Sequence, residues 1–342
     1  MKYPIALIVL AVPLLAQDIA TPKLSPADAI RIDEFYRLAS SIQDEIWAGW
    51  GKVPAPMMLV TPETEFLTHA ATPPPAEFKK VADGIYARPR QFPVDLQATM
   101  PAFGPPAVMV VGEPANTESK TSTPWLFTVM HEHFHQLQWA QPGYYEAVEA
   151  LDLSRGDQTG MWMLNYPFPY DKPEVAQAFT QLRDLLLCAL SEPDGPDFAK
   201  LAKKYVEQRK QFFSQLSVDD HKYLGFQLWQ EGMARYSEVK AAEAAANYHP
   251  TAAFSGLSDY EAFSHLAAHK RADTLEQLKR VNLATDKRPV VYSFGAAEGF
   301  LLDRIHPNWK DDYFKHMLSL DSCFEEARLR LMMHDDASHV SR

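Results

Sequence analysis

The chain has 342 residues, 46% of them hydrophobic and 12% aromatic, enough to bury one large core or two subdomains that share an interface. Its 44 acidic residues against 33 basic ones give a formal charge of -11, which argues against nucleic acid or anionic lipid as a general partner. Proline outnumbers glycine by 26 to 14, a composition of stiff connections rather than flexible linkers.

The first segment reads as an export signal. Lys2 precedes the apolar run Ile5 to Ala16, which is closed by Gln17 and Asp18, so cleavage is expected near Ala16. The run is too short to span a bilayer comfortably. The expectation is therefore a signal peptide over 1-16, a secreted or periplasmic protein, and no stable membrane span after cleavage; an uncleaved anchor or a buried N-terminal helix is the alternative. Cys188 and Cys323 are the only cysteines, and after export they could pair or remain separate buried thiols.

Ser25, Pro26 and Asp28 supply a helix cap, a first-turn proline and a first-turn acid. Ile32, Phe35, Ala39, Ile42 and Ile46 then recur at helical spacing, which predicts a long amphipathic helix ending near Gly51. From there to about residue 112, short apolar runs alternate with proline-rich turns: Met57 to Val60, Gly84 to Ala87 and Ala107 to Val111. These predict a small, mostly antiparallel sheet. Helix and sheet together form a predicted unit over 17-112, followed by a helical unit over 113-342 that shares one catalytic site with it. Its helices are expected near 124-140, 174-190, 197-216, 220-247, 259-270, 290-303 and 311-332. The fold class is α+β, predominantly α.

The first of these helices carries Val129-Met130-His131-Glu132-His133-Phe134-His135-Gln136. Ser122 or Thr123 can cap it, Pro124 suits its first turn, and Phe127, Met130, Phe134 and Leu137 form an apolar stripe. Residues four apart share a helix face, so His131 and His135 can direct two imidazoles at one metal ion, zinc by the His-Glu-x-x-His pattern. Glu132 lies beside that face without being needed as a ligand, which suits a base that takes a proton from water at the metal. His133 is about 200° around the helix from either ligand, so its expected place is behind the ligands or on the surface.

A five-residue match also arises by chance on a solvated helix, and catalytic zinc usually takes a third protein ligand. The best candidate is Glu231, in Leu228-Trp229-Gln230-Glu231-Gly232-Met233-Ala234-Arg235-Tyr236. Taken alone it could be an exposed acid paired with Arg235 at i,i+4. Gly232 weighs against that, because a glycine inside a helix is better explained by close approach of another element. Glu146 and Glu149 are rival ligands, reached only if Pro142-Gly143 reverses the chain sharply.

His131-Glu132-x-x-His135-Gln136 with the later Trp229-x-Glu231-Gly232-x-Ala234-x-Tyr236 resembles the gluzincin metallopeptidases of the peptidase MA-like group. The likeness is close over the two motif helices and architectural elsewhere. It implies a zincin-type helical subdomain, His131, His135 and Glu231 as Zn2+ ligands, Glu132 as general base, and a peptide or protein substrate. Val291-Tyr292-Ser293-Phe294-Gly295 looks like the tyrosine-bearing helix start of such enzymes, which gives Tyr292 the role of hydrogen-bond donor to the oxyanion. Tyr236 is the other tyrosine that could fill this role. The Gly-x-Met-Glu-Asn element of the aminopeptidase N type is absent; Gly112-Glu113-Pro114-Ala115-Asn116 is the nearest stretch.

The order along the chain further suggests that the strand Ala107 to Val111 offers an edge to an extended peptide. Two other readings stand beside the hydrolase: a secreted peptide- or sugar-binding protein that keeps the zincin fold without catalysis, and a cupin-type site with His131 and His133 on a strand.

Overall fold

The computed structural model describes residues 21–340, with side chains as far as Met333. The expected signal segment over 1-16 lies outside the described residues. Among those described, no helix is long and apolar enough to cross a membrane.

Helix α1 (Pro26–Ile46) begins as its sequence demands: the Ser25 hydroxyl accepts from the Asp28 amide at 3.1 Å, and Ile32, Phe35, Ala39, Ile42 and Ile46 are all buried. It stops at Ile46, earlier than expected, and a single tight turn at Trp50–Lys52 follows. Six strands come next: β1 (Met57–Val60), β2 (Thr64–Thr68), β3 (Lys79–Ala82), β4 (Ile85–Pro89), β5 (Gln97–Met100) and β6 (Val108–Gly112). They form one sheet in the order β3-β4-β2-β1-β6-β5, antiparallel throughout except for the parallel pair β1 and β6.

Strands β1 and β6 are buried on two faces, and their alternation sorts the side chains. Met57, Leu59, Met109 and Val111 join the large core beneath the helices. Met58, Val60, Val108 and Val110 face the other way, onto Leu67 and Phe78. The strand proposed as a peptide-binding edge is thus an interior one: β6 lies between β1 and β5, and β5 is the outer strand. Two-sided burial explains why Ala107 to Val111 is so uniformly apolar.

The rest of the chain is helical, so the fold is α+β with helix predominant: α2 (Ser122–Trp139), α3 (Tyr144–Ala150), α4 (Trp162–Asn165), α5 (Pro173–Ser191), α6 (Pro196–Ser214), α7 (Val218–Gln227), α8 (Met233–Ala244), α9 (Ala252–Ser255), α10 (Phe263–Arg280), α11 (Leu283–Asp286), α12 (Val290–Ile305), α13 (Trp309–Tyr313) and α14 (Asp321–Val340). A π-type turn at Leu228–Gly232 joins α7 to α8, so the helix expected over 220-247 is one run with a bulge. The helix expected over 311-332 is instead two, α13 and α14. Cys188 and Cys323 are both free, the first exposed and the second buried.

Helix α2 is the central strut, packed against α1, α8, β5 and β6. It is pinned to the sheet by polar bonds. The Trp125 indole donates to the Gly112 carbonyl at 2.8 Å, and the Gln136 amide donates to the carbonyls of Pro56 and Ala107 at 3.0 and 2.8 Å. Ser122 and Thr123 do not cap it as expected. The Ser122 hydroxyl bonds Asp259 at 2.7 Å and that of Thr123 bonds the Glu261 carbonyl at 2.7 Å, tying the helix start to the segment before α10.

Candidate metal centre

The i,i+4 spacing on α2 sets the imidazoles of His131 and His135 on one face, both nearly buried. Across from them the π-type turn delivers Glu231. Its Oε2 stands 3.6 Å from Nε2 of His131 and 3.4 Å from Nε2 of His135. One ligating atom from each of the three residues falls within 4.8 Å of the others. These separations are longer than an ordinary N–H···O bond of about 2.7–3.2 Å. They match the roughly 3.3–3.4 Å expected between two N or O ligands bound at about 2.0–2.1 Å to one tetrahedral zinc ion. The donor set, two imidazoles and one carboxylate, also suits that ion.

The remaining ring nitrogens have fixed partners. His131 Nδ1 faces Glu238 Oε2 at 3.4 Å, and His135 Nδ1 bonds Gln138 Oε1 at 2.7 Å. Gln138 in turn donates to the carbonyls of Trp229 and Gln230, the residues just before Glu231. Such partners orient ligating histidines and select their tautomer. Glu238 is held by Arg235 at 3.0 Å and by Lys270. Arg235 therefore pairs with Glu238 rather than with Glu231.

Burial disfavours a charged His131, yet its contacts with Glu231 and Glu238 outweigh burial and raise its pKa to about 9. Burial also works against the charge on Glu231, but His135 and His131 hold its carboxyl well below the usual range. A divalent cation competes with protons for these same lone pairs.

Glu132 is buried beside the face. The Thr99 hydroxyl of β5 lies 2.7 Å from its carbonyl oxygen and 3.0 Å from its Oε2. Tyr292, on the first turn of α12, puts its ring 6.0 Å from that of His131. Its hydroxyl accepts from Arg288 at 3.2 Å, which leaves its own proton free to donate. Burial, and next the Glu231 carboxylate, push that hydroxyl above its ordinary pKa.

The structure thus brings together His131, His135, Glu231, Glu132 and Tyr292. It sets the others apart. Glu146 and Glu149 are exposed on α3. Tyr236 points away, donating to Asp303 at 2.7 Å. His133 is buried rather than on the surface: its ring bonds Gln43 and Gln136 at 2.9 and 2.8 Å, and burial lowers its pKa to about 4. The strand-borne cupin reading falls with the helix, since His131 and His133 both lie within α2. Thr99, Gln138, Glu238 and Arg288 were not singled out from sequence. Glu238 and Gln138 had a readable signal, the first seven residues after Glu231 and the second three after His135, each near the same helix face.

Comparison with protein-family models, curated proteins and solved structures gives no match for this chain.

Proposed function

We propose that this chain is an exported, zinc-dependent peptidase. The observation that carries the reading is the convergence of His131 Nε2, His135 Nε2 and Glu231 Oε2, with Glu132 next to His131 on the same helix. Bound zinc would polarise a carbonyl and lower the pKa of water from about 15.7 towards about 7.

The chain's own residues then divide the remaining work. Glu132, steadied by Thr99, takes a proton from the attacking water and delivers it to the departing amine. Tyr292 keeps its proton at neutral pH and donates a hydrogen bond to the oxyanion. An extended peptide laid along the outer strand β5 would run past Thr99 and so past Glu132. That position replaces the one first expected at β6.

The test is hydrolysis of a mixed peptide library with and without chelator, alongside Glu132→Gln. Cleavage should stop with chelator, return with zinc, and fall by about 10²–10⁴-fold in the variant, which should still hold zinc. Full activity in Glu132→Gln would refute the assigned base. A library left wholly uncut by zinc-loaded protein would favour the binding-protein reading.

A further inference from the structure

Beside the metal centre lies a cation whose contacts are all long. Arg288 places Nη1 3.3 Å from Gln227 Oε1 and 3.7 Å from Glu231 Oε1, and Nη2 3.2 Å from the Tyr292 hydroxyl. The two fully buried arginines are held far more tightly. Arg209 has Glu298 and Asp321 at 2.7 Å each, and Arg88 has Glu65 at 2.7 Å. The guanidinium carries five N–H donors in a fork that fits a carboxylate edge. In Arg288 that fork has no close carboxylate, and a fifth of the side chain is exposed.

The charge balance sharpens the point. Once a dication sits on His131, His135 and Glu231, the two carboxylates Glu231 and Glu132 offset its charge. Glu238 is already matched by Arg235 and Lys270. Arg288 then adds a positive charge whose carboxylate contact among the described residues is Glu231 at 3.7 Å. Its two closest contacts are an amide oxygen and a tyrosine hydroxyl rather than an acid. Burial raises the pKa of both Tyr170 and Tyr223, so each hydroxyl keeps its proton. The two hydroxyls lie 3.3 Å apart.

Resting on the peptidase reading, we infer that Arg288, with Tyr292 and Gln227 at its sides, forms a subsite for a substrate carboxylate close to the scissile bond. Two sources offer that chemistry: the C-terminal carboxylate of a peptide, and the side chain of an aspartate or glutamate next to the cut. Either would displace the long contact to Gln227 with a short bidentate pair.

Three synthetic peptide pools separate these. The first has free C-termini and no acidic residues, the second is its amidated twin, and the third is amidated but contains Asp and Glu. Wild type should cleave the first or the third at least about tenfold faster than the second, as judged by kcat/KM. Faster cleavage of the first pool identifies the terminal carboxylate, and of the third an acidic side chain. In Arg288→Gln the preference should shrink to within about threefold, while Arg288→Lys, which keeps the charge, should retain part of it. Zinc content is matched between proteins. Equal cleavage of all pools by wild type, or a preference that survives Arg288→Gln, overturns the subsite, as does an equal loss on every pool.

If wild type cuts no pool, the peptidase reading fails and binding decides the subsite separately. Calorimetry then compares benzoylglycine with its amide on the zinc-loaded chain. Binding of the acid at least about tenfold tighter than the amide, and lost in Arg288→Gln, upholds the carboxylate site. Equal or absent binding, or binding indifferent to the substitution, removes it.

Discussion

At the scale of single residues, the centre is a set of ligands and the groups that aim them. Glu238 touches no substrate in this account; it holds His131 through Nδ1. Glu238→Gln should therefore weaken zinc binding by about 10–100-fold, measured by competition with a chromophoric chelator. Unchanged affinity would mean that the helices alone position His131. Sequence spacing places His131 and His135 on one face, and Gly232 argues against reading Glu231 as a solvated helix acid, while Glu146 and Glu149 stay rivals that need a sharp reversal at Pro142-Gly143. What spacing cannot convey is which side chain reaches a ligand from a distant segment. Thr99 and Arg288 come from β5 and the turn before α12, and no periodicity links them to the ligands; Gln138 is the exception, three residues after His135 on α2.

At the scale of elements, the site depends on how closely α12 meets the π-type turn. A Cβ on Gly232 would fall 2.7 Å from the Gly295 Cα, and one on Gly299 would fall 2.5 Å from the Tyr236 ring. The glycines let the backbones touch, which brings Tyr292 and Glu231 to the same place. Gly232→Ala should destabilise the protein by about 1–3 kcal/mol in denaturant titration and lower its zinc affinity, because the new methyl meets backbone that cannot turn aside. A variant with wild-type stability and zinc affinity would show that the crossing does not position Glu231.

The π-type turn itself was not legible, since Leu228 to Gly232 reads as ordinary helix; an extra residue in one turn is set by tertiary contact. Nor was β5, where Gln97 to Met100 offers four residues of mixed polarity and no burial pattern of its own. Missing β5 is what made β6 look like an edge. The proline-rich turns, by contrast, did locate β1, β4 and β6 within a residue or two, because each carries an unbroken apolar run.

At the scale of the whole molecule, a single large core runs from α1 and the inner face of the sheet through to α14. Buried charges tie its helices together. Arg209 on α6 bonds Glu298 on α12 and Asp321 on α14, each at 2.7 Å. Lys310 on α13 donates to the Ile46 carbonyl at 2.9 Å and lies over the rings of Trp47 and Tyr236. Burial lowers its pKa from 10.5 to about 8. Above about pH 8 the folded chain therefore releases a proton that the unfolded chain keeps up to 10.5. Relative to Lys310→Met, wild type should gain stability as pH rises through that window, measured by urea unfolding at each pH. A flat difference, or one that runs the other way, would show that Lys310 stays charged in the fold.

All of these expectations rest on one ion held between α2 and the turn before α8. The most direct measurement is metal content by mass spectrometry on wild type and Glu231→Ala, purified identically. Wild type should carry about one zinc per chain, and the variant should lose most of it. Folded wild-type protein that takes up no zinc, or a variant that keeps its full complement, would contradict it.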